Sequence, residues 1–172
     1  MEVGSMHTNQ QRPRMALRGL ALGVATGAAL LCGLGTANAS GFDGATPTKS
    51  HYGAIFQIDA GGNKAIKKTL NNIENLLHDK RVEGKIKVEL IANSAGFDVY
   101  VKNNGFEKRL RHLQKEGVIL AQCSNTLREK HIKRSDLYSF IHVVPSGVGE
   151  ITLREAQGWA YIHPSARNAN QF

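Results

Sequence analysis

Gly117-Val118-Ile119-Leu120-Ala121-Gln122-Cys123 runs straight into Ser124-Asn125-Thr126-Leu127. From Val118 to Cys123 only Gln122 is polar, and apolar residues do not alternate with polar ones. That pattern belongs to a strand buried on both faces, as in a parallel sheet covered by helices. The polar residues behind it are of the kind that start helices. In open α/β sheets, ligands and chemistry collect beyond the carboxyl ends of the strands. Cys123 stands at such an end.

Working outward, Phe106, Leu110 and Leu113 mark a helix that leaves Lys108, Arg109, Arg111 and Lys115 outside, with Gly117 as its stop. Upstream, Lys85 to Ala92 alternates Ile86, Val88, Leu90 and Ala92 with Lys85, Lys87 and Glu89. This predicts a strand with one wet face, placed at a sheet edge where charges discourage aggregation. Asn93-Ser94-Ala95-Gly96 is a small polar loop at its carboxyl end, followed by a short helix from Phe97 to Val101. His51 to Asp59 reads as a strand, and Ala60-Gly61-Gly62-Asn63 as a tight turn with Asn63 as helix cap. Ile66, Leu70, Ile73 and Leu77 then define a helix reaching about Asp79.

Downstream, the pattern predicts a short helix from Asn125 to Arg134, a turn or second helical start at Ser135 to Tyr138 and a buried-type strand from Phe140 to Val144. Pro145-Ser146-Gly147 ends that strand. Val148 to Gln157 reads as a helix stopped by Gly158, and Trp159 to His163 as a last strand. Strands and helices alternating in this way predict an α/β three-layer sandwich around a mostly parallel five-stranded sheet. The domain is expected over residues 51–164, after a flexible segment at 40–50 and before a disordered tail at 165–172.

The first 39 residues read as a signal peptide rather than as fold. Arg12, Arg14 and Arg18 form a basic region, Leu20 to Leu34 an uncharged apolar run, and Ala37-Asn38-Ala39 a cleavage site. The run is too short and glycine-rich for a stable membrane span, which needs roughly 20 apolar residues. Leu30-Leu31-Cys32-Gly33 leaves acylation of Cys32 as an alternative to simple secretion to the periplasm or beyond. Cleavage removes Cys32, so Cys123 becomes the sole cysteine and no internal disulfide is expected. Such a thiol is buried and inert, paired between chains, or reactive.

The formal net charge is +8, which favours anionic partners through steering. An export signal and the lack of an Arg/aromatic stacking pattern argue against nucleic acid. The helix beginning near Ser124, Asn125 and Thr126 would offer N–H groups to a thiolate at Cys123. Arg128, Lys130 and His131 would add positive charge there and attract anions. No second cysteine forms a C-x-x-C pair, nothing identifies a papain-type triad, and the histidines show no metal-ligand spacing. Gly61-Gly62 evokes a phosphate loop without either phosphate-loop motif, and is read as a turn.

From about Tyr52 to Pro164 the chain resembles the DsrE/DsrF-like family. The likeness is carried by the first strand ending in Asp59, by Val88-Glu89-Leu90-Ile91-Ala92-Asn93, and by Gly117-Val118 through Cys123-Ser124-Asn125-Thr126-Leu127. Val143-Val144-Pro145-Ser146-Gly147-Val148-Gly149-Glu150 and Gly158-Trp159-Ala160-Tyr161-Ile162-His163-Pro164 add to it. The resemblance implies a flavodoxin-like fold and a homo-oligomer, trimer or hexamer. It also implies a persulfide carried on Cys123, in a pocket lined by Asn93, Ser94, Gly96 and the Pro145-Ser146-Gly147 turn. On that reading the protein is a sulfur carrier or sulfurtransferase with an anionic sulfur donor, a thiol acceptor and no cofactor. The alternatives are a non-enzymatic oligomeric small-ligand module and a thiol redox sensor.

Overall fold

Five parallel strands in the order β4-β3-β2-β1-β5 form one sheet. They are β1 (Tyr52–Ile58), β2 (Ile86–Ala92), β3 (Ile119–Cys123), β4 (His142–Val144) and β5 (Ala160–Ile162), joined by helices α1 (Asn63–Leu77), α2 (Glu107–Lys115), α3 (Ser124–Glu129) and α4 (Gly147–Ala156). The structure, a computed structural model, describes residues 41–164. The expected signal peptide, Cys32 and the tail at 165–172 lie outside the described residues. The compact unit that begins at Asp43 holds all the elements above, and residues 41–51 contain no helix or strand.

The strand order explains the layers. From β1 to β4 the chain steps each time to the next strand in one direction, and right-handed crossovers place successive helices on one face. Ile66, Leu70 and Ile73 of α1, Leu110 and Leu113 of α2 and Leu127 of α3 accordingly share one core with Ala54, Phe56, Leu90 and Leu120 of the sheet. From β4 the chain must return past β1 to reach β5, and α4 crosses the opposite face. There Ile55, Ile91 and Ala121 make a small second core, covered by Ile151 of α4 and by Trp159. Each fully buried Ile or Leu contributes roughly 1.5–3 kcal/mol, so the first face carries most of the hydrophobic stabilisation.

Several elements depart from the sequence expectation. β2 lies between β1 and β3, not at an edge, and Glu89 is only 1% exposed. Its charge is tolerated because Arg154 of α4 donates to it across the second face, Nε to Oε2 at 2.7 Å. β4 and β5 are the edges, and β4 is shorter and wetter than its apolar sequence suggests, with Val143 40% exposed. Asn63 is the first residue of α1 rather than its cap; Gly62 holds the cap position at φ 84° without any side-chain cap bond. The expected helix at Phe97 is a 3₁₀ segment spanning Ser94–Tyr100. α3 is shorter than predicted, ending at Glu129, while the 3₁₀ turn at Arg134–Asp136 overlaps the expected turn or second helical start.

Candidate functional site

Three connections meet at the carboxyl end of the sheet. β2 and β3 send theirs toward the face of α1–α3, while β4 sends its connection to the face of α4. Adjacent strands whose connections part to opposite faces leave a crevice between them, the usual place for a ligand in an open α/β sheet. Here that crevice lies between β3 and β4, and Cys123 is the last residue of β3.

A cavity of about 190 Å³ opens there, lined by Asn93, Ser94, Cys123, Asn125, Thr126, Glu129, Ser146, Gly147 and Val148. The residues come together for local reasons. Ser146 caps α4, its Oγ accepting from Gly149 N–H at 3.2 Å. Gly147 then packs so closely that a Cβ there would sit 3.3 Å from the Cβ atoms of both Cys123 and Asn93. Ser94, held at φ 48°, donates its N–H to Thr126 Oγ1 at 3.0 Å and ties the β2 loop to α3.

The Cys123 thiol is free and 5% exposed. Burial pushes its pKa up, yet the N–H groups of Thr126, Gly147 and Asn125 and the Thr126 hydroxyl outweigh burial and leave it below the ordinary thiol value. A thiolate is the nucleophilic form of cysteine, so this geometry makes a nucleophile of a nearly covered sulfur. Thr126→Val deletes one of these donors while keeping the shape. Its thiol should titrate at higher pH than the wild type's. Alkylation at neutral pH should slow roughly tenfold, the worth of one hydrogen bond to a charged group. Rates of iodoacetamide labelling against pH read this out; an unchanged profile would show that the hydroxyl does not face the sulfur.

Of the residues singled out from the sequence, Asn93, Ser94, Asn125, Thr126, Ser146 and Gly147 line the cavity with Cys123. Ser124, Gly96 and Pro145 do not; Gly96 lies beneath the site, against the end of β1. Arg128, Lys130 and His131 are exposed and none lines the cavity. Arg128 stands in the last turn of α3, and Lys130 and His131 follow its end. The charged side chain that does reach the rim is Glu129.

The sequence reading missed the support behind Asn93. Tyr161 of β5 donates to Gln57 Oε1 of β1. Gln57 Nε2 in turn donates to Asn93 Oδ1 at 2.8 Å. A lone glutamine inside the apolar run of β1 was the available signal. Asp98 Oδ2 accepts the Gly62 N–H at 3.2 Å, so a carboxylate of the chain itself meets the Gly61-Gly62 turn. Among the described residues no group of three or more His, Cys, Asp or Glu side chains is placed to hold a metal ion. No helix among them is long and apolar enough to cross a membrane.

No family model matches the chain, and no curated protein matches it. Several solved structures do, two of them as follows. The protein of unknown function MTH1491 from Methanobacterium thermoautotrophicum superposes with a TM-score of 0.61 at 34% identity, over 66% of this chain and 99% of that one. The ychN protein from E. coli superposes with a TM-score of 0.54 at 12% identity, over 66% of this chain and 98% of that one. The second likeness speaks for the fold alone. The first, at 34% identity along 99% of the archaeal protein, places this chain in the same family as MTH1491, with a DsrE/YchN-like fold.

Proposed function

We propose that the protein is a sulfur carrier that takes up sulfane sulfur on Cys123. The observation that carries this reading is the thiol at the end of β3, held below its ordinary pKa by the N–H groups of Thr126, Gly147 and Asn125 and the Thr126 hydroxyl. With thiosulfate as donor, the Cys123 thiolate attacks the outer sulfur. A new S–S bond forms on Cys123, the bond between the two sulfurs of thiosulfate breaks, and sulfite leaves with the electron pair. No net redox change and no cofactor is required. The persulfide sulfur then passes to an acceptor thiolate, returning Cys123 to its starting state. The N–H groups that favour the thiolate favour the persulfide anion for the same electrostatic reason.

The same reading takes the working protein as an exported homo-oligomer, trimer or hexamer, beginning at Ser40. Val148 and Leu153, 64% and 60% exposed on α4, support an assembly that covers this helix. Intact mass spectrometry of protein from its native source tests all three parts. The expected result is an N-terminus at Ser40, a gain of one sulfur atom after exposure to thiosulfate or polysulfide, and loss of that atom on reduction. Cys123→Ser should show no gain, and native spraying of the same sample should show three or six copies. A wild-type thiol that stays unloaded and alkylates slowly at neutral pH would make Cys123 a structural residue. The small-ligand module would then be the better account.

A further inference from the structure

A second cavity, of about 520 Å³, lies at the opposite end of the sheet from Cys123. Its floor is the amino ends of β1 and β2, and its wall is the turn from α4 into β5. It exists because α4 stops at Ala156, short of Lys87, so the face of the sheet beyond Glu89 is uncovered. Gly53 pairs in register with Lys87, and the missing side chain at Gly53 leaves the space that Trp159 and the cavity share. A Cβ at Gly53 would come within 2.4 Å of the Trp159 ring.

The lining is one-sided in charge. Lys49, His51 and Lys87 contribute to it, with Tyr52 and Trp159 as the apolar part, and no carboxylate does. Neither lysine amine has a carboxylate partner among the described residues. The strand of chain bearing Lys49 is anchored, because Thr48 and Lys49 donate their N–H groups to the Tyr52 hydroxyl at 2.7 and 2.9 Å. A cavity of this size falls in the range that holds small metabolites, and two lysines without carboxylate partners among the described residues, beside an aromatic wall, select negative charge.

We propose that this cavity binds a small organic polyanion, phosphorylated or polycarboxylated. Its clustered oxygens meet Lys49 and Lys87, and its carbon skeleton lies against Trp159. The site is separate from Cys123 and does not depend on the sulfur-carrier reading.

Trp159 is the sole tryptophan of the chain, so its fluorescence reports occupancy directly. The full chain is titrated with pyrophosphate and, separately, with citrate, at constant ionic strength set by chloride. The expected result is a saturable change with at least one of the two, which also tells phosphate from carboxylate chemistry. In Lys49→Gln/Lys87→Gln the half-saturating concentration should rise at least tenfold, while Lys49→Arg/Lys87→Arg should stay near wild type. No saturable change with either anion at millimolar concentration would overturn the proposal. So would an equal response in the Gln variant with its circular dichroism unchanged, or a Trp159 that acrylamide cannot quench in the free protein because a second copy covers it.

Discussion

Arg154→Met is expected to cost about 3–5 kcal/mol of folding stability, the range for removing one partner of a buried ion pair. The reason lies with Glu89, which is 1% exposed, and not with the arginine itself. Arg154 bonds Glu89 Oε2 at 2.7 Å, approaches Glu150 Oε1 at 3.1 Å and sets its guanidinium 4.4 Å from the centre of the Trp159 ring. Glu89 Oε1 has no hydrogen-bond partner among the described residues. Without Arg154 the carboxylate would be buried with neither oxygen paired, and burial already raises its pKa against the pull of the arginine. If the arginine mattered only through Trp159, the loss would be nearer 0.5–1 kcal/mol, so the size of the effect decides between the two accounts. The double variant Glu89→Met/Arg154→Met removes both charges at similar volume and should recover most of the loss. Urea denaturation of the two variants beside wild type measures this; a double variant as weak as the single one would contradict it.

The same pair shows what could be read from the sequence and what could not. Alternation along Lys85 to Ala92 correctly assigns Val88 and Leu90 to one face and Lys87 and Glu89 to the other. A period of two says which residues share a face, not what lies upon it. The partner of Glu89 is 65 residues away on α4, and nothing in the strand announces it. β4 fails for a related reason. Phe140 to Val144 is apolar, but whether a strand is central or an edge follows from the path of the crossovers. The single long return from β4 to β5 leaves both strands at the rims. The place of Cys123 was legible because its signal is local: an unalternating strand that ends on it, followed by polar residues that start a helix. The link from Tyr161 through Gln57 to Asn93 spans 104 residues at its first step. It is a product of register between β5 and β1, which no local pattern encodes. Arg128, Lys130 and His131 are near the thiol in sequence, yet all three are exposed and none lines its cavity.

Gly96→Ala should destabilise the fold by about 3 kcal/mol, at the upper end of what overpacking usually costs. Gly96 is buried in the 3₁₀ segment after β2, where Asn93 donates its N–H to Ile58 O at 3.1 Å and Gly96 donates to Asn93 O at 2.9 Å. A Cβ on Gly96 would fall 1.9 Å from Ile58 O, 2.4 Å from Ile58 C and 2.9 Å from Asp59 N. All three atoms are backbone at the end of a paired strand, so no rotamer change relieves the overlap and the segment itself must move. Gly62→Ala provides the comparison. Its Cβ would have nothing within 4 Å, and only its backbone, at φ 84° and ψ 159°, opposes a side chain. That conformation costs a non-glycine residue roughly 1–3 kcal/mol. Gly96→Ala should be the weaker protein in urea, and equal midpoints would mean that the contact with β1 is softer than the geometry states. The displacement also reaches the thiol. Moving the segment pulls Ser94 from Thr126 Oγ1 and shifts Asn93 away from Gly147, loosening the wall that holds the donors around Cys123. In the folded fraction of Gly96→Ala, labelling of Cys123 at neutral pH should consequently slow, while in Gly62→Ala, whose Cβ would meet no atom of the segment, it should match wild type.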